Sequence, residues 1–153
     1  MTLLARLALL LGLSLAAHPA LAQKAYVRND LAADGQRLEE RLKREVSTGP
    51  RSAADAVRAG EAALARGDAR AALPQANAAV VAEPANAAGW RLMARAASAI
   101  EPRDYRERWE LRERAISAAY LAYQRSTGRN DEAASLGVIA RLFEKNELWR
   151  PAL

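Results

Sequence analysis

Apolar positions recur along this chain at helical spacing. Leu31, Leu38, Leu42 and Val46 share one face of a first helix, and EERLKRE supplies its outer face. Asn29 or Asp30 can cap its start, and Thr48, Gly49 and Pro50 end it. The stretch AADAVRAGEAALARGDARAALPQANAAVVAEPANAAGW then falls into two alanine-lined helices. The break between them is Arg66, Gly67 and Asp68, where Gly supplies a left-handed stop and Asp caps the next helix. The second of these helices ends at Glu83 and Pro84. NAAGWRLMARAA predicts another, with Trp90 and Met93 in the large apolar slots. RERAISAAYLAYQRSTG follows, with Ile116, Tyr120 and Tyr123 on one face. A last helix starts near Glu132, with a stripe of Leu136, Ile139, Ala140 and Phe143. The predicted class is all-α.

The pattern has a period. Gly60 to Ala94 is 34 residues, and so is Ala56 to Trp90. With small residues at Gly60, Ala72 and Ala79, a turn at Gly67 and Asp68 and a closing Pro84, the segment resembles a tetratricopeptide repeat, a helical hairpin of about 34 residues. It departs from that repeat at Ala56, Ala59, Ala63 and Ala76, which stand where the family usually has bulk. Ala94 to Ala140 is 46 residues, 12 more than one period. The excess is read as an insertion, EPRDYRERWELR at 101–112, between the two helices of the second copy. In the third copy Trp149 sits at the turn and Ala152 and Leu153 open a second helix. The reading is therefore a right-handed α-solenoid fragment over 51–153 whose last repeat is incomplete. Neighbouring repeats cover each other's apolar faces, so Leu136, Ile139, Phe143 and Trp149 form an expected exposed docking stripe.

The first 22 residues follow a different logic. MTLLAR carries one positive charge, LALLLGLSLAA is an uncharged apolar run, and Ala20, Leu21 and Ala22 make a small-x-small cleavage site. This predicts a cleaved signal peptide at 1–22, and periplasmic or secreted localisation. The apolar run is shorter than the ~20 residues of a spanning helix, so no membrane span is expected after cleavage. A lipid anchor needs a Cys at the cleavage site, and the sequence has no Cys. Residues 23–50 then hold the first amphipathic helix and a linker.

Cleavage removes His18, the only His, so the mature chain has neither His nor Cys. That takes away the commonest general base, the thiol nucleophile and the usual zinc ligands. No metal and no cofactor is expected. The leader also takes Arg6 from a total of 23 Lys and Arg, so 22 face 18 Asp and Glu, a net +4. These charges are interleaved, which argues against a nucleic-acid footprint. Glu39 and Glu40 point in different directions, and Glu107, Glu110 and Glu113 each have an Arg within three or four positions. That is helix-surface pairing, and no acid–base constellation emerges. No catalytic residue is assigned, and the chain is not read as an enzyme.

The inner face of each first helix in such a repeat array contacts ligands. Here that face presents Arg91 and Arg95, one turn apart, with Arg141 from the third copy. Guanidinium groups so placed suit a carboxylate or an acidic peptide, so the expected partner is a protein or peptide. The same three residues also fit a merely solvated face on an Arg-rich chain. Trp90, Trp109, Tyr120 and Tyr123 are read as inter-helix core rather than as a binding cage.

Three stretches together carry a more specific resemblance: QKAYVRNDLAADGQRLEERLK, EPRDYRERWELRERAISAAYLAYQRS and KNELWRPAL. They resemble the N-terminal helical region of bacterial alpha-2-macroglobulin-like secreted proteins. The resemblance implies a family that traps proteases, and a long C-terminal series of macroglobulin domains in the same polypeptide. None of the trapping parts is present, since a thioester needs a Cys and no β-rich segment or bait region is found. The implied function is a non-catalytic interaction or positioning segment of a periplasmic protease inhibitor. The alternative is a stand-alone periplasmic tetratricopeptide adaptor for a peptide or envelope protein, which would carry a capping helix.

Overall fold

Alanine-rich, strongly capped segments leave few choices but helix. The computed structural model describes residues 29–45 and 52–145. They form α1 (Asn29–Glu45), α2 (Ala53–Ala65), α3 (Ala69–Ala82), α4 (Ala87–Ala99), α5 (Tyr105–Arg125) and α6 (Arg129–Lys145), with no strand among them. The expected signal peptide, the linker after α1 and Trp149 lie outside the described residues.

Each boundary has a chemical cause. Ser52 caps α2: its hydroxyl accepts from Asp55 N at 3.0 Å and donates to the Asp55 carboxylate at 2.7 Å. That hydroxyl, with Arg58 beside it, holds the Asp55 pKa below its ordinary value. α2 ends in a Schellman turn, with Asp68 N on Ala63 O and Gly67 N on Leu64 O, both at 2.9 Å. Gly67 takes φ 78°, and Asp68 then caps α3 through Ala71 N. Asn86 caps α4, and the buried Trp90 indole donates to Pro84 O at 2.8 Å, tying α4 to the turn before it.

The helices stack in two layers. α2, α4 and α6 lie side by side, since α4 touches both of the others. α3 packs between α2 and α4 from behind, and α5 does the same between α4 and α6. The backbones of α3 and α5 do not approach each other; α1 touches both. Leu38 and Leu42 of α1 thereby join one core with Val80, Trp90, Leu92, Met93, Leu121 and Leu142. α4 is the centre, with eight buried residues, Trp90, Leu92, Met93 and five small ones, among its 13. Small residues permit the close approach: a Cβ on Gly60 would run into the buried Leu92 side chain, and one on Gly35 would sit 3.0 Å from Leu121.

One sequence expectation is corrected here. Residues 105–112 are no insertion between helices; they are the first two turns of α5, and only 100–104 connect it to α4. The cause is a cap: Asp104 accepts from Glu107 N at 2.8 Å, so the helix starts there. α6 turns a different set of positions inward from its apolar stripe. Its buried positions are Ser135, Val138 and Leu142, whereas Leu136 is 44% exposed and Ala140 is exposed. Of the expected stripe, Leu136 is exposed, while Ile139 and Phe143 are half-buried.

Candidate interaction groove

Because α2, α4 and α6 form one layer, residues at matching registers on them face a common surface. Glu61, Arg95 and Arg141 each follow the aligned small residues Gly60, Ala94 and Ala140. The structure brings all three together with Arg91 around one cleft of about 540 Å³, floored by Ala88, Ala134 and Val138. The three arginines picked from sequence thus share a site.

They are not equivalent within it. Arg95 Nη1 sits 2.6 and 2.8 Å from the two Glu61 carboxylate oxygens, an ion pair about two-fifths exposed on both sides. Arg91 is more deeply set. Its Nη1 pairs with the Asp131 carboxylate and lies 3.1 Å from Ser135 Oγ. Ser135 Oγ is 2.7 Å from Ser126 Oγ, and Ser126 donates to Ala122 O at 2.7 Å. The Asp131 carboxylate also accepts from Thr127 N at 3.0 Å. Arg91 therefore pins α4 to the α5–α6 junction. Arg141 is exposed and makes no ion pair with another described residue.

The arrangement offers one accessible cation, Arg141, beside a second, Arg95, whose present partner is an exposed carboxylate that an acidic ligand can displace. Sequence reasoning missed Glu61, Asp131 and Ser135. Glu61 had a signal: it lies 34 residues before Arg95, one period of the chain. Asp131 and Ser135 had none, because their link to Arg91 spans 40 and 44 residues of unpatterned sequence.

The other singled-out side chains lie elsewhere. Ile139 and Phe143 line a small apolar pocket with Leu31, Ile116 and Tyr120, while Leu136 points away from the core. Trp90, Tyr120 and Tyr123 are buried, but Trp109 is 58% exposed, which corrects its assignment to the core. It lines a shallow cleft with Leu31 and Asp34 of α1. Among the glutamates, Glu107 receives a forked contact from Arg70, at 2.7 and 3.2 Å, and also accepts from Arg103 N at 2.5 Å. The Arg70 hydrogen bond, followed by that backbone N–H, pulls its pKa down to about 2. Glu110 pairs with Arg106 on the helix surface at 3.0 Å. Among the described residues no group of three His, Cys, Asp or Glu is placed to hold a metal, and no helix is long and apolar enough to cross a membrane.

No protein-family model, curated protein or solved structure matches the chain.

Proposed function

We propose that this chain is a non-catalytic, tetratricopeptide-like interaction module that binds an acidic protein or peptide segment along the α2–α4–α6 groove. The observation that carries the reading is the convergence of Arg95 and Arg141 on one cleft, at registers set by the repeat. The solenoid reading is supported by the order of helix contacts, each helix from α2 onward touching its successor while α2, α4 and α6 also touch in turn. The leader pattern at 1–22 favours export, and the three quoted stretches favour the N-terminal part of a secreted alpha-2-macroglobulin-like protease inhibitor. In that setting the module positions or docks, and trapping belongs to other domains. A periplasmic adaptor is the second reading, favoured by a groove that has its own charged lining.

The test is an array of acidic and neutral peptides probed with the purified chain at several salt concentrations. Acidic peptides should bind, and Arg95→Ala with Arg141→Ala should weaken binding and flatten its salt dependence. Equal binding of neutral peptides, or no effect of the double change, refutes the groove. For export, intact-mass analysis of the periplasmic fraction should find a chain beginning at Gln23. A Met1 species confined to the membrane refutes the leader.

A further inference from the structure

A second cleft, of about 270 Å³, opens between α1 and α5 and shares no lining residue with the groove. Its volume is that of roughly nine liquid waters. Arg37, Arg41, Arg44 and Arg114 line it, with Asp34, Glu40 and Glu113, and the buried Ser117. We propose that this cleft binds a small oxyanion of the phosphate class, gripped by the guanidinium groups of Arg41 and Arg114.

The argument rests on unmet hydrogen-bonding capacity. Arg41 Nε is buried and has no acceptor. The Glu45 oxygen nearest to it is 3.6 Å away, and Arg114 Nη2 lies 3.7 Å from the other Glu45 oxygen. Both distances are too long for hydrogen bonds. Two guanidinium groups thus share one carboxylate that fully satisfies neither. Arg114 can make little use of water instead, since its side chain is only 18% exposed. The remaining acids do not close the gap. Asp34 is taken by Arg37 beside it, and Glu40 and Glu113 are exposed. Burial and the neighbouring Arg41 charge push the Arg114 pKa down, against the pull of Glu45 and Glu110. A cation held so is stabilised by any anion that reaches it. A tetrahedral oxyanion suits the place better than a carboxylate, because it offers further oxygens to two forked donors at once.

Calorimetric titration of the full chain with inorganic phosphate and pyrophosphate, at ionic strength fixed with sodium chloride, tests the site. Saturable binding at one site per chain is expected, with a matching rise in Tm that acetate does not give. Arg114→Lys keeps the charge but loses the fork, and should weaken pyrophosphate binding by about tenfold or more. Arg41→Lys, at a more exposed position, serves the same purpose if Arg114→Lys loses its helical circular dichroism. Arg95→Ala should leave this binding unchanged, which separates the cleft from the groove. A Tm rise that sodium chloride alone reproduces overturns the assignment, as does full pyrophosphate affinity in the folded Lys variants.

Discussion

Glu61 and Arg95 stand 34 residues apart and meet across the seam between α2 and α4, with Arg95 Nη1 at 2.6 Å from one carboxylate oxygen. The same spacing relates Ala56 to Trp90 and Gly60 to Ala94. The pair therefore joins one register on two successive helices of a layer. Arg91 lies one turn earlier on α4 but reaches forward instead, to Asp131 and Ser135 on α6. Two arginines on one helix turn thus serve different purposes, one in the groove and one in the scaffold.

The two should separate in stability measurements. Arg95→Ala removes an exposed pair and should cost about 0–1 kcal/mol. Arg91→Ala takes the guanidinium donor from Asp131, which keeps Thr127 N–H, and from the buried Ser135, which keeps Ser126 Oγ, and should cost about 1.5–3 kcal/mol. Urea midpoints at constant m-value read the difference. Equal losses would place both residues on the surface.

The glycines give a paired prediction of opposite sign. At Gly137 an added Cβ meets open space, so Gly137→Ala should stabilise α6 by up to about 1 kcal/mol through helix propensity. At Gly60 the new methyl collides with Leu92, which is fully buried and cannot swing aside, with Gln75 Cβ 3.3 Å away. Overpacking costs about 1–3 kcal/mol, which outweighs the same propensity gain. Gly60→Ala should therefore lower the midpoint. A rise at both positions would mean that the α2–α4 approach is looser than described.

How much of this was legible in the sequence follows from how local each determinant is. The helix breaks at Gly67 and Asp68 and at Glu83 and Pro84 depend on neighbouring residues, and they stand where the sequence puts them. The groove arginines were found because a period fixes which face a residue takes. The start of α5 was missed although its signal was local: Asp104 followed by Glu107 is a cap, but the count of residues beyond one period suggested an insertion. The buried Ser135 on the inner face of α6 was missed for a tertiary reason. Its hydroxyl is satisfied by Arg91 and Ser126 from outside α6, which apolar spacing alone does not reveal. Arg41 was read only as part of the outer face EERLKRE and Arg114 was not singled out, because the cleft they share exists only once α1 lies on α5.

Trp109 offers a direct check on that last helix. It is 58% exposed, whereas Trp90 is fully buried. Trp109→Ser should change stability by less than about 0.5 kcal/mol, as surface substitutions usually do. It should also remove much of the iodide-quenchable fluorescence. A large loss of stability, or unchanged quenching, would put the ring back in the core.

The pH dependence of stability should carry the signature of Glu107. Its carboxylate is held at a pKa of about 2, well below the ordinary carboxylate value of 4.5, by the Arg70 fork and the Arg103 N–H. A group depressed on folding contributes stability that is fully present above its unfolded pKa. That contribution is lost as pH falls through the folded value. The advantage of the native chain over Glu107→Gln should thus be constant above about pH 5 and shrink steadily between pH 4.5 and 2. Asp55 is also depressed, but it is common to both proteins and cancels in the difference. Arg70→Ala should remove most of the same pH dependence, since Arg70 supplies the largest share of the shift. Urea midpoints taken from pH 6 to pH 2.5 provide the measurement. A difference that stays flat to the lowest pH would show that the Arg70 fork does not hold Glu107 in solution, and that the first turns of α5 are secured by the Asp104 cap alone.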